Sequence, residues 1–127
     1  MAAGISSYLA NKLLDHATGK ASFTMPSGVY AKMHTGNPGA AGTSSASAQA
    51  TRLAATFASA ASGSIAANNT PEFTLTATET ITHVSFWDAS TGGNFLWSSQ
   101  ATASKAGGSG DIIRVSTNSL SLTPIAS

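Results

Sequence analysis

One stretch of this chain, Ile81 to Trp97, reads ITHVSFWDASTGGNFLW and limits what the rest can fold into. Two strand-like runs flank a loop, Asp88-Ala-Ser-Thr-Gly-Gly-Asn94. The stretch carries both tryptophans and two of the five phenylalanines, in a chain otherwise rich in Ala, Ser, Thr and Gly. Large apolar side chains contribute most of the burial free energy, roughly 1.5–3 kcal/mol each. The core must therefore gather around this hairpin. On its first strand Ile81, His83, Ser85 and Trp87 alternate with Thr82, Val84, Phe86 and Asp88. Both faces carry large apolar groups, which suits a strand in the middle of a sandwich. On the second, Phe95 and Trp97 alternate with Leu96 and Ser98. In the loop, Asp88 can bond the backbone ahead of it, and Gly92-Gly93 can supply positive φ.

The N-terminal part predicts one helix over residues 5–17. Ile5, Leu9, Leu13 and Ala17 step by four, and Tyr8 and Leu14 widen the stripe. Ser6 or Ser7 caps its start, or the helix begins nearer Ala3; Gly19 is the expected stop and His16 a cation at its closing end. The helix is expected to dock on the domain's own β-core. Val29 to His34 alternates as a half-buried strand. Thr35 to Ala48 contains three glycines, one proline and no large side chain, so it reads as a long loop and a candidate contact arm. Thr51 to Phe57 reads as a strand, Ala58 to Asn69 as a turn region, and Glu72 to Ala77 as a strand opened by Pro71. Ala103 to Asp111 reads as a turn. Ile112 to Leu122 gives one or two strands, ended by Pro124. Turn signals at this spacing indicate an antiparallel sandwich or barrel. The expected fold is mainly β: a jelly-roll-like antiparallel β-sandwich with one N-terminal α-helix. It forms a single domain over 1–127, with the helix in 1–20 and the sandwich in 21–127.

Charge is the strongest compositional departure. Only 9% of the 127 residues are charged, against about 25% in typical domains. A surface so poor in charge is weakly protected against association, which favours a protein packed against copies of itself or a large partner. The net charge is +1 and the basic residues are scattered, so the clustered footprint of a nucleic-acid protein is missing. The absence of cysteine excludes disulfides, thiolate metal sites and a Cys nucleophile. No signal peptide and no apolar run of membrane length is expected.

A search for chemistry finds none. Acid–base hydrolysis needs paired carboxylates or a histidine with an orienting acid. His83 and Asp88 point to opposite faces of one strand. His34 sits beside the glycine-rich loop, where it is expected to be mobile. The three histidines show no metal-ligand spacing. Ser109 lies in GGSGD, which is not a nucleophile elbow, and the glycine-rich stretches lack a phosphate loop's Lys-Ser/Thr. Asn68-Asn69-Thr70 fits the glycosylation pattern but lacks a secretory context. Trp87 and Trp97 could stack on sugars, although core tryptophans are the commoner case.

Several separated blocks occur in an order that resembles a family of small structural proteins of tailed bacteriophages, variously minor tail, tail-fibre-like or capsid-decoration proteins. They are YLANKLLDHATGKASFTMP at 8–26, VYAKMHTGNPGAAGT at 29–43, TRLAATFASAASGSIAANNT at 51–70, HVSFWDASTGGNFLW at 83–97 and SLSLTP at 119–124. The resemblance implies a non-enzymatic β-sandwich that assembles on a virion made in the host bacterial cytoplasm. It carries over no catalytic, cofactor-binding or metal-binding residue. The expected role is capsid decoration or a minor capsid, cementing subunit. The alternatives are a minor tail or tail-fibre-associated protein and, further off, a receptor- or carbohydrate-binding module. Expected partners are copies of itself, as a homo-oligomer, and the major capsid protein or tail proteins, with neither nucleic acid nor membrane. The residues expected to make subunit contacts are Ile5, Tyr8, Leu9, Leu13, Asn37, Pro38, Asp88 and Asn94.

Overall fold

A computed structural model describes residues 4–116 and 118–122. The chain is mainly β and antiparallel, with one helix. The helix α1 spans Ser7–Ala17, and eight strands follow: β1 Val29–His34, β2 Leu53–Ala55, β3 Ser64–Ala66, β4 Glu72–Thr74, β5 Glu79–Trp87, β6 Phe95–Gly107, β7 Ile112–Arg114 and β8 Ser119–Ser121. The expected start of the helix near Ala3 and the stop at Pro124 lie outside the described residues.

The helix has well-defined ends. Ser6 is its N-cap, with an extended backbone and its hydroxyl accepting from the Leu9 N–H at 3.1 Å. Gly19 adopts φ +74° past the C-terminus. The Lys20 N–H then reaches the Asp15 carbonyl and the Gly19 N–H that of His16. These two bonds satisfy carbonyls that the helix end would otherwise leave open. Leu9 is buried and Leu13 partly buried against the core, so the stripe faces the chain's own β-structure.

The strands form a four-stranded sheet in the order β2-β1-β5-β6 and two short ribbons, β3-β8 and β4-β7. The hairpin that dominates the sequence supplies β5 and β6, and β5 lies inside the sheet between β1 and β6. Its cross-strand register sorts the side chains by face. Ala31 pairs with Phe86 and Phe86 with Trp97. The two rings stack with centroids 4.7 Å apart, and this face joins Met33, Phe73 and Leu75 in the main core. The ribbons β4-β7 and β3-β8 add Ile113 and Leu120 to it, giving a sandwich-like second layer. Phe57 meets Trp97 edge-on at 5.9 Å.

The opposite face carries Tyr30, Lys32 and His34 from β1, and Ser85 and Trp87 from β5. It is covered by loops. Pro38 is fully buried. A Cβ on Gly42 would sit 2.5 Å from the Phe95 ring, so this loop glycine touches the aromatic directly, at φ +74°.

Four local expectations need correction. His34 is not mobile: it is 0% exposed, because the 35–48 loop folds back over it. The 58–69 region is not only turn; Ser64–Ala66 pairs with β8, a partner too distant in sequence for local signals to reveal. The 103–111 segment is mostly strand, since β6 continues to Gly107 opposite Glu79 and only the turn closed by the Asp111 N–H on the Gly108 carbonyl remains. The strands expected over 51–57 and 72–77 shorten to three residues each.

Candidate functional site

The expected contact residues fall into three groups. In the first group, the segment before α1 adds itself to the free edge of β6. The Ser6 N–H bonds the Leu96 carbonyl at 2.8 Å, the Ser98 N–H bonds the Gly4 carbonyl at 2.9 Å, and Ile5 bridges Trp97. The Ser6 hydroxyl, while capping the helix, also donates to the Phe95 carbonyl at 2.7 Å. Ile5 remains 41% exposed. Tyr8 is half-buried and meets Phe23 edge-on. Leu9, however, is buried within the protomer, so its expected role as a subunit contact is corrected to that of a core residue.

The second group lies in the 35–48 loop. Asn37 accepts the Gly39 N–H through Oδ1 at 2.8 Å and so shapes the turn. Pro38 is buried against the rest of the chain and cannot reach a neighbour, which corrects its expected role too. The loop is fastened at both ends. At one, His34 Nδ1 lies 2.8 Å from the Ser44 carbonyl. At the other, Glu79 accepts from the Ser47 hydroxyl and from the Ala48 N–H. The fourteen residues expected to be an outward arm therefore form a lid on the chain's own sheet.

The His34 contacts fix its state. Nδ1 must carry a proton to donate to the Ser44 carbonyl. Nε2, 2.7 Å from the Ser85 hydroxyl, then accepts, and the Ser85 oxygen accepts from Trp87 Nε1–H at 2.8 Å. The order Trp87 to Ser85 to His34 to Ser44 runs through a neutral imidazole, the form that burial favours. Burial lowers the pKa of His34, and the charges of Lys32 and His83 push the same way against the Ser44 hydrogen bond.

The third group is the 88–94 loop. Asp88 Oδ1 accepts the Asn94 N–H at 2.7 Å and Oδ2 accepts from Asn94 Nδ2 at 2.9 Å. The two expected contact residues thus close their own loop on each other. Arg52, given no such role by the sequence, docks this loop on the sheet. Its Nη1 donates to the carbonyls of Ala89 and Gly92, at 2.9 and 2.6 Å, and its guanidinium lies 4.1 Å from the centroid of the Trp87 ring. A lone Arg52 opening the TRLAATF segment was the available signal, but the pairing of β2 with β1 that brings it to the tryptophan hairpin is non-local.

These side chains are engaged with one another and with loop backbone. Both tryptophans are buried, Trp87 under Arg52 and Trp97 inside the core, so neither offers a face to a sugar. Asn68 and Asn69 hold the edge of β2: Asn69 accepts the Thr56 N–H and donates to the Ala54 carbonyl, each at 2.9 Å. No group of three metal-ligating side chains comes together among the described residues, and none of the described helices is long and apolar enough to cross a membrane.

A family model described as Podophage GP4 fiber I protein gp80 matches residues 4–123. The chain belongs to this family. The match runs from the strand segment at Gly4 through all eight strands, so it covers both the helix and the sandwich. The family is one of bacteriophage virion structural proteins of tail-fibre-like type, as the ordered blocks of sequence implied. No curated protein matches the chain.

Proposed function

We propose that the protein is a non-enzymatic structural subunit of a bacteriophage tail fibre or its base, held in the virion by contacts with copies of itself and with tail proteins. The observation that carries this reading is the family match to a fibre protein over residues 4–123, which favours the tail over the capsid-decoration role expected from sequence. The architecture supports it. The polar residues that could serve chemistry are engaged in shaping loops: Asp88 with Asn94, Glu79 with Ser47, and His34 with Ser44 and Ser85. The low charge of the chain leaves few like-charge repulsions to oppose subunit packing.

Exposed apolar side chains that could meet neighbours are Ile5, Leu14 and Met25 in the N-terminal part, at 41%, 64% and 83%, and Ile112 and Leu122 further on, at 56% and 61%. Weak contacts of this kind gain from repetition along a symmetric fibre. The test is the position and copy number of the subunit in purified particles, by cryo-electron microscopy and quantitative mass spectrometry. Density on the tail with a copy number matching tail symmetry is expected. Density distributed over the capsid lattice would refute the reading. Leu14→Glu, on a solvent-facing side chain, is expected to leave the fold intact and lower incorporation.

A further inference from the structure

On the core side of the sheet, the second layer leaves one stretch of β5 and β6 open. A groove of about 370 Å³ lies there, floored by Ile81, Val84 and Phe86 and walled by Ile113 and Val115 of β7 and the residue after it. Its volume lies within the range of small-molecule sites, about 300–1,000 Å³. The groove exists because β6 swells. Ile81 pairs with Lys105 while His83 pairs with Gln100, so extra β6 residues stand opposite Thr82. Ala101, Thr102 and Ala103 of that swelling form one side of the groove.

Its polar groups share a pattern. Lys105 and Arg114 are the charged side chains that line it, and no carboxylate does. Arg114 is engaged by Glu72 at 2.8 Å on an exposed site, whereas Lys105 has no ion pair among the described residues. Ser99, Gln100 and Thr102 add hydroxyl and amide groups. Asn118 lines the groove at 9% exposure, and its Nδ2 has no hydrogen-bond partner among the described residues. A buried amide without a partner costs about 1–3 kcal/mol, so such a group calls for an explanation. A half-turn about χ2 exchanges its nitrogen and oxygen, so Asn118 can serve a hydroxyl group as donor or acceptor.

We propose that this groove binds a sugar acid: an anionic, hydroxylated ring whose carboxylate faces Lys105, whose hydroxyls meet Asn118 and the rim amide and hydroxyls, and whose C–H face lies on Val84, Ile113 and Val115. Apolar floor, paired donors and acceptors, and a lysine without an ion pair among the described residues select that combination over a neutral sugar or a bare anion. The site is independent of the assembly reading, since it faces away from the Arg52 and loop-covered side of the sheet.

The test is titration of the ¹⁵N-labelled full chain with D-glucuronate, D-glucose and inorganic phosphate, followed by two-dimensional NMR. Glucuronate is expected to shift the amides of residues 81–86, 99–105 and 113–118 saturably, with glucose and phosphate each at least about tenfold weaker. Lys105→Glu, an exposed change, is expected to weaken glucuronate by a similar factor, and Ala101→Trp to block it by filling the groove; dispersed spectra of both variants establish that they fold. Absence of saturable shifts, equal binding of glucose or phosphate, or binding unmoved in both folded variants would overturn the proposal. A glucuronate trimer separates the two sources of such a group. Tighter binding than the monomer identifies a polysaccharide chain and equal binding a free sugar acid, and either supports the site.

Discussion

His34 gives the sharpest test of how the long loop is held. Replacing it by glutamine removes a buried ring that bridges Ser44 and Ser85 and leaves at best one of the two hydrogen bonds. With one buried partner unsatisfied, the cost at pH 7.5 is about 1–3 kcal/mol. The pH dependence follows from the direction of the pKa shift. Burial lowers the folded-state pKa of His34, so below the unfolded value of about 6.5 the unfolded chain binds a proton that the folded chain refuses. Stability from the neutral ring is thus fully present above about pH 6.5 and is lost as pH falls toward the lowered folded pKa, at up to about 1.4 kcal/mol per unit. Below that, the ring becomes charged in a buried site, with Lys32 and His83 adding like charge and no carboxylate among the described residues hydrogen-bonded to it. Denaturant unfolding of wild type and His34→Gln at pH 7.5, 6.5 and 5.5, followed by tryptophan fluorescence, measures the difference. The gap between the two proteins is expected to narrow on acidification. A constant gap, or one that widens, would refute the neutral relay.

Other substitutions probe the same layers. Gly42→Ala forces a Cβ into the Phe95 ring at a positive φ and is expected to cost about 2–4 kcal/mol in thermal or chemical unfolding. Ser6→Ala removes both the helix cap and the bond to Phe95 and is expected to cost about 1–2 kcal/mol, with local loss of amide protection over residues 7–10. Arg52→Lys keeps the charge but loses the planar guanidinium that lies over Trp87 while its Nη1 reaches the Ala89 and Gly92 carbonyls. Faster amide exchange confined to residues 88–94 and a changed Trp87 emission are expected. Arg114→Ala breaks an ion pair whose side chains are 66% and 48% exposed, and its effect on the unfolding midpoint is expected to stay below about 1 kcal/mol.

The hairpin, the helix and β1 were legible because their signals are local. The 3.6-residue stripe with Ser6 and Gly19 at its ends marks the helix, and the 81–97 aromatics mark the central pair. What escaped depends on partners far away in the chain. Ser64–Ala66 is a strand only because Ser119–Ser121 lies beside it, and small residues give no periodic signal of their own. Leu9 and Pro38 were legible as apolar positions but not as inward ones. Pro38 turns inward because Gly42 lets the loop approach Phe95, a contact between residues more than fifty positions apart.

The same contact changes what a glycine-rich segment means in this chain. A loop without large side chains reads as solvated, since it carries little apolar area to bury. Here the apolar area belongs to the sheet beneath: Trp87 and Phe95 face outward from β5 and β6 and must be shielded. Small residues let the backbone itself lie flat on those rings, and polar groups of that backbone are then satisfied by His34 at the Ser44 carbonyl and by Glu79 at the Ala48 N–H. Charge scarcity and loop composition therefore have one physical origin, a sheet buried on both faces by a short chain. Exposed apolar surface remains at Leu14 and Met25, as well as at Ile112 and Leu122, and solubility in isolation is expected to depend on Leu14 and Met25 more than on either loop. Leu14→Glu combined with Met25→Lys should raise the concentration at which the purified chain stays monomeric in sedimentation velocity. If Asp88 and Asn94 substitutions do so instead, the loops rather than the N-terminal unit form the contact surface.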